Sequence, residues 1–306
     1  MSTSRRTFLK NSALALAGTT MLSSELFAAK KRQEILGVQL YSVRDVMGTD
    51  PKGTLKLLAE MGYRYVEHAN YNQKKDRKFY GYSASEFKKI LDDLGLKMRS
   101  GHTVMRKDHW DEAKMDFTDE WKDTVEDAAI VGQKYVISPW LDASMRKTYD
   151  DFKRYMDVFN KSGELCKKSG MKFGYHNHDF EFTTVLNDMK LYDLILQNTD
   201  PALVAQQLDM GNLYNGGAKA IDIAKKYPGR FELMHVKDEI KSDTTTGEKY
   251  VSTILGKGIV GTKEVTDLGK ESGGTTDFII EQESYQGKTS LECVKEDLEV
   301  MKKWGY

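Results

Sequence analysis

Cysteine is nearly absent from this 306-residue chain, which has two, Cys166 and Cys293, and no CxxC pair. That excludes an all-thiolate zinc site and a dithiol redox centre. Both cysteines fall in segments of helical pattern and are expected to be unpaired thiols. Proline is also scarce, at four, and no Ser/Gly/Pro-rich stretch is long enough to separate domains. Charge of one sign is missing as well: Lys plus Arg equals Asp plus Glu at 46 each, for a formal net charge of zero. No basic excess is available to drive binding along a nucleic-acid backbone. Long apolar runs are lacking too, so no stable membrane anchor is expected.

The first thirty residues do carry a signal. Arg5-Arg6 and Phe8-Leu9-Lys10 precede a short apolar run from Ala13 to Leu22, and small residues follow at Ala28-Ala29. A charged start, a short apolar stretch and a small-residue site have the grammar of a secretory leader. The arginine pair resembles the twin-arginine signal that exports folded bacterial proteins. The expected organisation is a leader over 1–30 that engages the twin-arginine export machinery, then a single catalytic domain over 31–306 in the periplasm.

From residue 35 short apolar runs alternate with helical patterns. ILGVQLYSV, YRYVEHA, LKMRSGHTV, KYVISPW, MKFGYHN, ALVAQQLD, FELMHVKD and DFIIEQES read as strands, each followed by a helix-like stretch. Pro51 suits a first helical turn and Gly62 a helix stop, while Ser83 and Glu86 have capping-box spacing. Eight strand–helix units in series predict an α/β fold, the (β/α)8 TIM barrel. A doubly wound sheet would ordinarily carry a glycine-rich phosphate turn after its first strand, and QLYSVRD has none. The one long connection, 239–262, holds too many breakers for an ordinary strand pair. Its Gly256, Gly258 and Gly261 suit tight turns, and are weak support for phosphate binding.

In such a barrel functional side chains sit where strands end. Glu67 and His68, His102, Asp209, His235 with Lys237, and Glu281 with Glu283 all follow apolar runs on what becomes one rim. The fifth strand ends in GYHNHDFEF, which concentrates two of the six histidines with two carboxylates. Oxygen and imidazole donors together suit a divalent cation, the carboxylates offsetting its charge. Asp209, His235 and Glu281 supply three such donors from successive strands. The fourth lies among His176, His178 and Glu181, which spacing alone leaves open. A salt-bridged rim without metal is the bland alternative.

Taken together, GYHNHDFEF, QLDMGN, GRFELMHVKDE, GKGIVG and FIIEQES resemble the bacterial sugar phosphate isomerase/epimerase family of the xylose-isomerase-like barrels, across nearly all of residues 35–306. The resemblance implies one divalent ion, of Mn, Zn, Mg or Co type, held by Asp209, His235, Glu281 and a strand-five carboxylate. Relatives read Glu-Asn-His on strand five and this chain reads His176-Asn177-His178. Glu181 is therefore the favoured fourth ligand, since it keeps the compensating charge, with His176 its rival. Asn212 replaces a histidine common after the strand-six aspartate, which argues against a second metal.

Such a site suits a carbohydrate with adjacent carbonyl and hydroxyl groups. The expected activity is a metal-dependent isomerase or epimerase working through an enediolate. His178, Lys237, Glu283, Glu67 and His102 are the candidate proton carriers or hydroxyl ligands. A lyase acting by β-elimination on 3-keto-glycosides shares the same ligand set, and a non-catalytic carbohydrate-binding barrel is the third alternative. Trp140, Tyr41, Tyr71, Phe182 and Tyr214 are candidates to stack on a sugar ring.

Overall fold

Eight apolar runs form parallel strands: β1 (Ile35–Gln39), β2 (Tyr65–His68), β3 (Lys97–His102), β4 (Tyr135–Ser138), β5 (Lys172–His176), β6 (Val204–Asp209), β7 (Phe231–Val236) and β8 (Asp277–Ile280). They close into a barrel in which each strand pairs with its sequence neighbours and β8 returns to β1. A helix follows each: α1 (Pro51–Met61), α2 (Ala84–Asp93), α3 (Asp119–Val131), α4 (Tyr149–Lys167), α5 (Leu191–Asn198), α6 (Ala220–Lys226), α7 (Thr262–Glu271) and α8 (Ser290–Trp304). This computed structural model describes residues 35–73, 76–243, 247–271 and 274–306. The leader expected over 1–30 lies outside the described residues.

Local chemistry explains the helix ends. Asp50 accepts from the Gly53 amide ahead of Pro51, and Gly62 stops α1 with a φ of 110°. Ser83 and Glu86 form the expected capping box, and Thr289 and Glu292 form another at α8. Between strands and helices the packing is aromatic and aliphatic. Trp121 of α3 is fully buried, and its indole N–H is satisfied by the Ser162 hydroxyl at 2.9 Å. Cys166 and Cys293 are free and buried. Among the described residues no helix is long and apolar enough to cross a membrane.

The period of two along each strand decides what fills the barrel. Lower in the interior Tyr135, Ile137, Ala205, Leu233 and Ile279 pack together as an apolar plug. Two residues further along the same faces come Gln207, His235 and Glu281, and then Asp209 on β6 and Lys237 after β7. The barrel interior thus changes from apolar to ionisable within one or two residue pairs, and the polar layer lies at the carboxyl ends of the strands. At the opposite end, Arg99 pairs with Asp277 at 2.8 Å and Lys172 with Glu232 at 2.6 Å.

Among the described residues four connections carry small antiparallel ladders of their own, and two of these differ most from expectation. The long 239–262 segment does begin in a strand pair: Asp238–Lys241 runs antiparallel to Tyr250–Thr253. The breakers are gathered in the tip and in GKGIVG, leaving DEIK and YVST free to form a ladder. After β2, Tyr71–Asn72, Lys78–Phe79 and Tyr82–Ser83 form a small three-stranded sheet over the barrel mouth. Its strands are two residues each, too short to show a period in the sequence.

Candidate metal centre and cavity

Four buried side chains from four adjacent strands converge: His176, Asp209, His235 and Glu281 each offer a donor atom, all within 4.8 Å of one another. The strand register aligns them, since Asp209 pairs directly with His235, and His235 with Ile279, two residues before Glu281. His235 Nδ1 lies 3.1 Å from Glu281 Oε2 and 3.8 Å from Asp209 Oδ2, and His176 Nε2 lies 3.8 Å from that same Asp209 oxygen.

The donors fit a divalent cation. Asp209 Oδ1 accepts from the amides of Gly211 and Asn212 at 2.8 and 2.7 Å, whereas Oδ2 is buried with no hydrogen-bond partner and faces the cluster. An unpartnered buried carboxylate oxygen is costly unless a cation meets it. Burial, reinforced by Glu281 and only partly offset by Lys237 and His235, pushes the Asp209 carboxyl up to about 7.

The network also sets which imidazole nitrogen faces the cluster. Gln207 donates its amide N–H to Glu67 Oε2 at 2.9 Å, which leaves Gln207 Oε1 as the acceptor for His176 Nδ1 at 3.0 Å and His102 Nε2 at 2.7 Å. His176 therefore donates from Nδ1 and presents an unprotonated Nε2 to the cluster, 3.5 Å from the Asn212 side-chain amide nitrogen. Burial, then His235 and His102, hold its pKa well below the usual imidazole range. His235 donates from Nε2 to Glu67 at 2.6 Å, so its Nδ1 is the cluster-facing atom. Burial opposes its charge, but Glu281 and Glu67 outweigh burial and push it up to about 10.

Glu67, expected as a proton carrier, is instead enclosed. Its carboxylate accepts from Gln39, Gln207 and His235 and lies 3.1 Å from His102 Nε2. Burial would raise its pKa, yet His102 and His235 hold it well below the ordinary carboxylate range. It orients the imidazoles of the cluster and does not line the cavity described below. Because every neighbour donates, Glu67→Gln would set an amide N–H against donors, and a fall in divalent-metal affinity of about 10- to 100-fold is expected. Competition with a chelator of known affinity measures it.

Glu181 is where the structure departs furthest from expectation. It sits on a single helical turn, Phe180–Thr183, and points into the wall: it accepts from the Tyr175 hydroxyl at 2.5 Å and the His178 amide at 3.0 Å. Burial pushes its carboxyl up to about 7. The cluster includes His176 in its place. Alternation along β5 accounts for this, because Gly174, His176 and His178 face inward while Tyr175 faces the helices, and Glu181 follows Tyr175.

His178, His102 and Glu283 line a cavity of about 380 Å³ that opens beside Glu281 and His176. Burial, with Lys237 adding to it, lowers His178 to about 4 and keeps the ring neutral. Lys237 is buried beneath the cavity floor. It donates to Asn212 Oδ1 at 2.8 Å and to Glu283, and lies 3.5 Å from Glu281 Oε2. Those carboxylates overcome burial and keep its pKa well above the usual range. The backbone at Gly211 passes close to this lysine: a Cβ there would lie 2.6 Å from Glu239 Oε1 and 2.8 Å from Lys237 Cγ.

Of the aromatic candidates, Tyr41 and Tyr71 line the cavity and Trp140 is 41% exposed beside it. Phe182 is core, packed against Tyr192, and the Tyr214 hydroxyl donates to the Val260 carbonyl. His68 is buried against Tyr71 and Phe79. The GKGIVG amides are also spoken for. Asp238 accepts from Gly256, Gly258 and Val260, and a Cβ at Gly258 would lie 2.2 Å from its carboxylate. A protein carboxylate thus takes the place a phosphate would need. Gln39, Gln207 and Asn177 were not legible as site residues. The Asn177 side chain both accepts from the Asp209 amide and donates to its carbonyl, pinning β5 to β6.

Comparison with known proteins agrees with this fold. A solved sugar phosphate isomerase/epimerase from Parabacteroides distasonis superposes with a TM-score of 0.74 at 25% identity, covering 91% of this chain and 98% of that one. An inosose dehydratase of Clostridium perfringens is 33% identical over 101 residues, 33% of each chain. Another, from Clostridium beijerinckii, is 28% identical over 149 residues, 47% of each. The chain thus spans a third to a half of the length of these curated relatives. The model of the xylose isomerase-like TIM barrel family matches residues 55–304, and the chain belongs to that family.

Proposed function

We propose that this protein is a divalent-metal-dependent lyase that removes a proton next to a carbonyl of a carbohydrate and expels the oxygen substituent β to that carbonyl. The observation that carries it is the buried donor cluster, with its unpartnered Asp209 oxygen, set against a cavity the size of one sugar ring and walled by proton-handling groups. His176, Asp209, His235 and Glu281 would hold the ion, and when bound it supplies polarisation of the carbonyl and charge for the enolate oxygen.

The rest of the chemistry falls to the chain. His178, kept neutral by burial, accepts the proton from the carbon next to the carbonyl. The electrons of that C–H bond become the new C=C bond as the β-carbon–oxygen bond breaks. The imidazolium that His178 becomes returns this proton to the departing oxygen, while Glu283, ionised beside the Lys237 ammonium, accepts a hydrogen bond from a substrate hydroxyl. His102 lines the cavity with Nε2 committed to Gln207, and so presents the ring to substrate in one orientation.

Elimination is preferred to isomerisation because inosose dehydratases, by name, remove water from a keto-carbohydrate, and they recur among the curated relatives. Isomerase or epimerase chemistry is the second reading, supported by the name of the Parabacteroides distasonis protein. In this proposal residues 1–30 deliver the barrel to the periplasm through the twin-arginine machinery, where keto-glycosides are a fitting substrate class.

The test is incubation of metal-loaded protein with 3-keto-glucosides, keto-inositols and free ketoses in deuterated water, followed by NMR. Release of the β-substituent with formation of an enone is the expected result. Deuterium incorporation with the whole skeleton and all substituents retained would instead establish the isomerase or epimerase.

A further inference from the structure

Beside the inner cavity lies a second concavity of about 620 Å³, between the segment after β3 and the segment after β4. Val104 lines both spaces, so the two adjoin. We propose that this outer trough is a leaving-group subsite that binds a ring with an apolar face. The proposal rests on the lyase reading, and it names the kind of substrate: a glycoside whose departing portion is a ring and not a small alcohol or water.

The trough is built for a flat apolar occupant. Trp140 is 41% exposed and Val104 37%, and both present their exposed surface here. The indole is held from behind, edge-on to His178 at 5.4 Å and to Phe180 at 5.0 Å between ring centroids. The two walls are tied at the floor by one buried hydroxyl: Ser138 Oγ accepts from the Met105 amide at 3.1 Å and donates to the Trp140 carbonyl at 3.0 Å.

Arg106, Lys107, Asp108 and Asp142 also border the trough, and of these the Arg106 charge is neutralised. Arg106 donates to Asp108 at 3.0 Å, to Gln73 at 2.8 Å and to Glu120 at 2.6 Å. Its guanidinium is thereby committed to Asp108, Gln73 and Glu120. Position adds the second argument. Trp140 touches the imidazole assigned to take the proton, so a ring stacked on it would lie directly outside the inner cavity, where the departing group of a glycoside must emerge.

An aryl group and a second sugar share this apolar-face chemistry, and the experiment separates them. Metal-replete protein would be assayed on 3-keto-glucosides with methyl, phenyl and glucosyl leaving groups, as the parent and as Trp140→Ala, Trp140→Phe and Val104→Ser. The expected result is a phenyl-to-methyl ratio of kcat/KM that falls about 10-fold in Trp140→Ala, falls in Val104→Ser, and is largely restored in Trp140→Phe. A parallel fall in the glucosyl-to-methyl ratio would assign a sugar face to the trough, and an unchanged one an aryl group. Ratios unchanged in all variants would overturn the subsite, because a Trp140 acting only through His178 slows every leaving group alike. Calorimetric binding of unoxidised phenyl and methyl glucosides runs beside the assay and needs no elimination. A Trp140-dependent preference for phenyl glucoside with no product from any keto-glucoside would refute the lyase and keep the subsite, whereas elimination with no such preference would do the reverse.

Discussion

Asp209→Asn is expected to reduce bound divalent metal from about one ion per chain to under about 0.1, and turnover by at least about 100-fold. The argument is geometric. Oδ1 is occupied by the amides of Gly211 and Asn212, a role an asparagine oxygen can keep, so the turn after β6 and the fold should survive. Oδ2 is the buried oxygen without a partner, and substitution replaces it with an uncharged N–H₂ facing the donors of His176 and His235. The loss should exceed that of Glu67→Gln, since partners behind the ligands cost about 10- to 100-fold and a direct ligand costs more. Elemental analysis of purified protein, with a thermal melt to verify folding, decides it. Full occupancy in the variant would put the metal elsewhere.

The second large effect separates two residues five positions apart. His176→Ala should lower metal retention by about 100-fold or more, because it deletes a donor whose Nε2 is left unprotonated by the Gln207 bond at Nδ1. Glu181→Gln should leave metal content near one per chain and act on turnover alone. Its carboxyl holds the Tyr175 hydroxyl and the His178 amide, so the change loosens the base and not the ion. Metal content and kcat measured on both variants give the answer. Loss of metal from Glu181→Gln with retention in His176→Ala would reinstate the carboxylate as the strand-five ligand.

That reversal of preference shows where reading the residues runs out. Charge compensation favoured Glu181 over His176, a sound argument for an isolated set of ligands. In the folded chain the positive charge of an ion would be shared among Asp209, Glu281 and the nearby Glu67, so the fourth position does not need a carboxylate. Glu67 illustrates the same limit: a strand-end carboxylate looks like a proton carrier until four donors are found around it.

Much was nevertheless local and therefore legible. Strand–helix alternation, the caps at Asp50, Ser83 and Thr289, and the period of two that carries Asp209, His235 and Glu281 inward are properties of neighbouring residues. A parallel barrel then has only one rim on which those strand ends can meet. The four-donor cluster could thus be anticipated for three of its members from the sequence, while the small sheet after β2 could not, because strands of two residues have no period.

What only the tertiary structure decided depends on contacts between residues far apart in the chain. Gln207 sets the tautomer of His176 from 31 positions away, Glu67 orients His235 from 168, and the Asp238 carboxylate consumes the GKGIVG amides across a loop. Hydrogen-bond direction and burial belong to the assembled network, and a side chain's chemical type does not specify which neighbour will claim its lone pairs. Residue type and spacing therefore determined the barrel and the rim, and long-range packing determined which rim residues face an ion, which face substrate, and which hold the others in place.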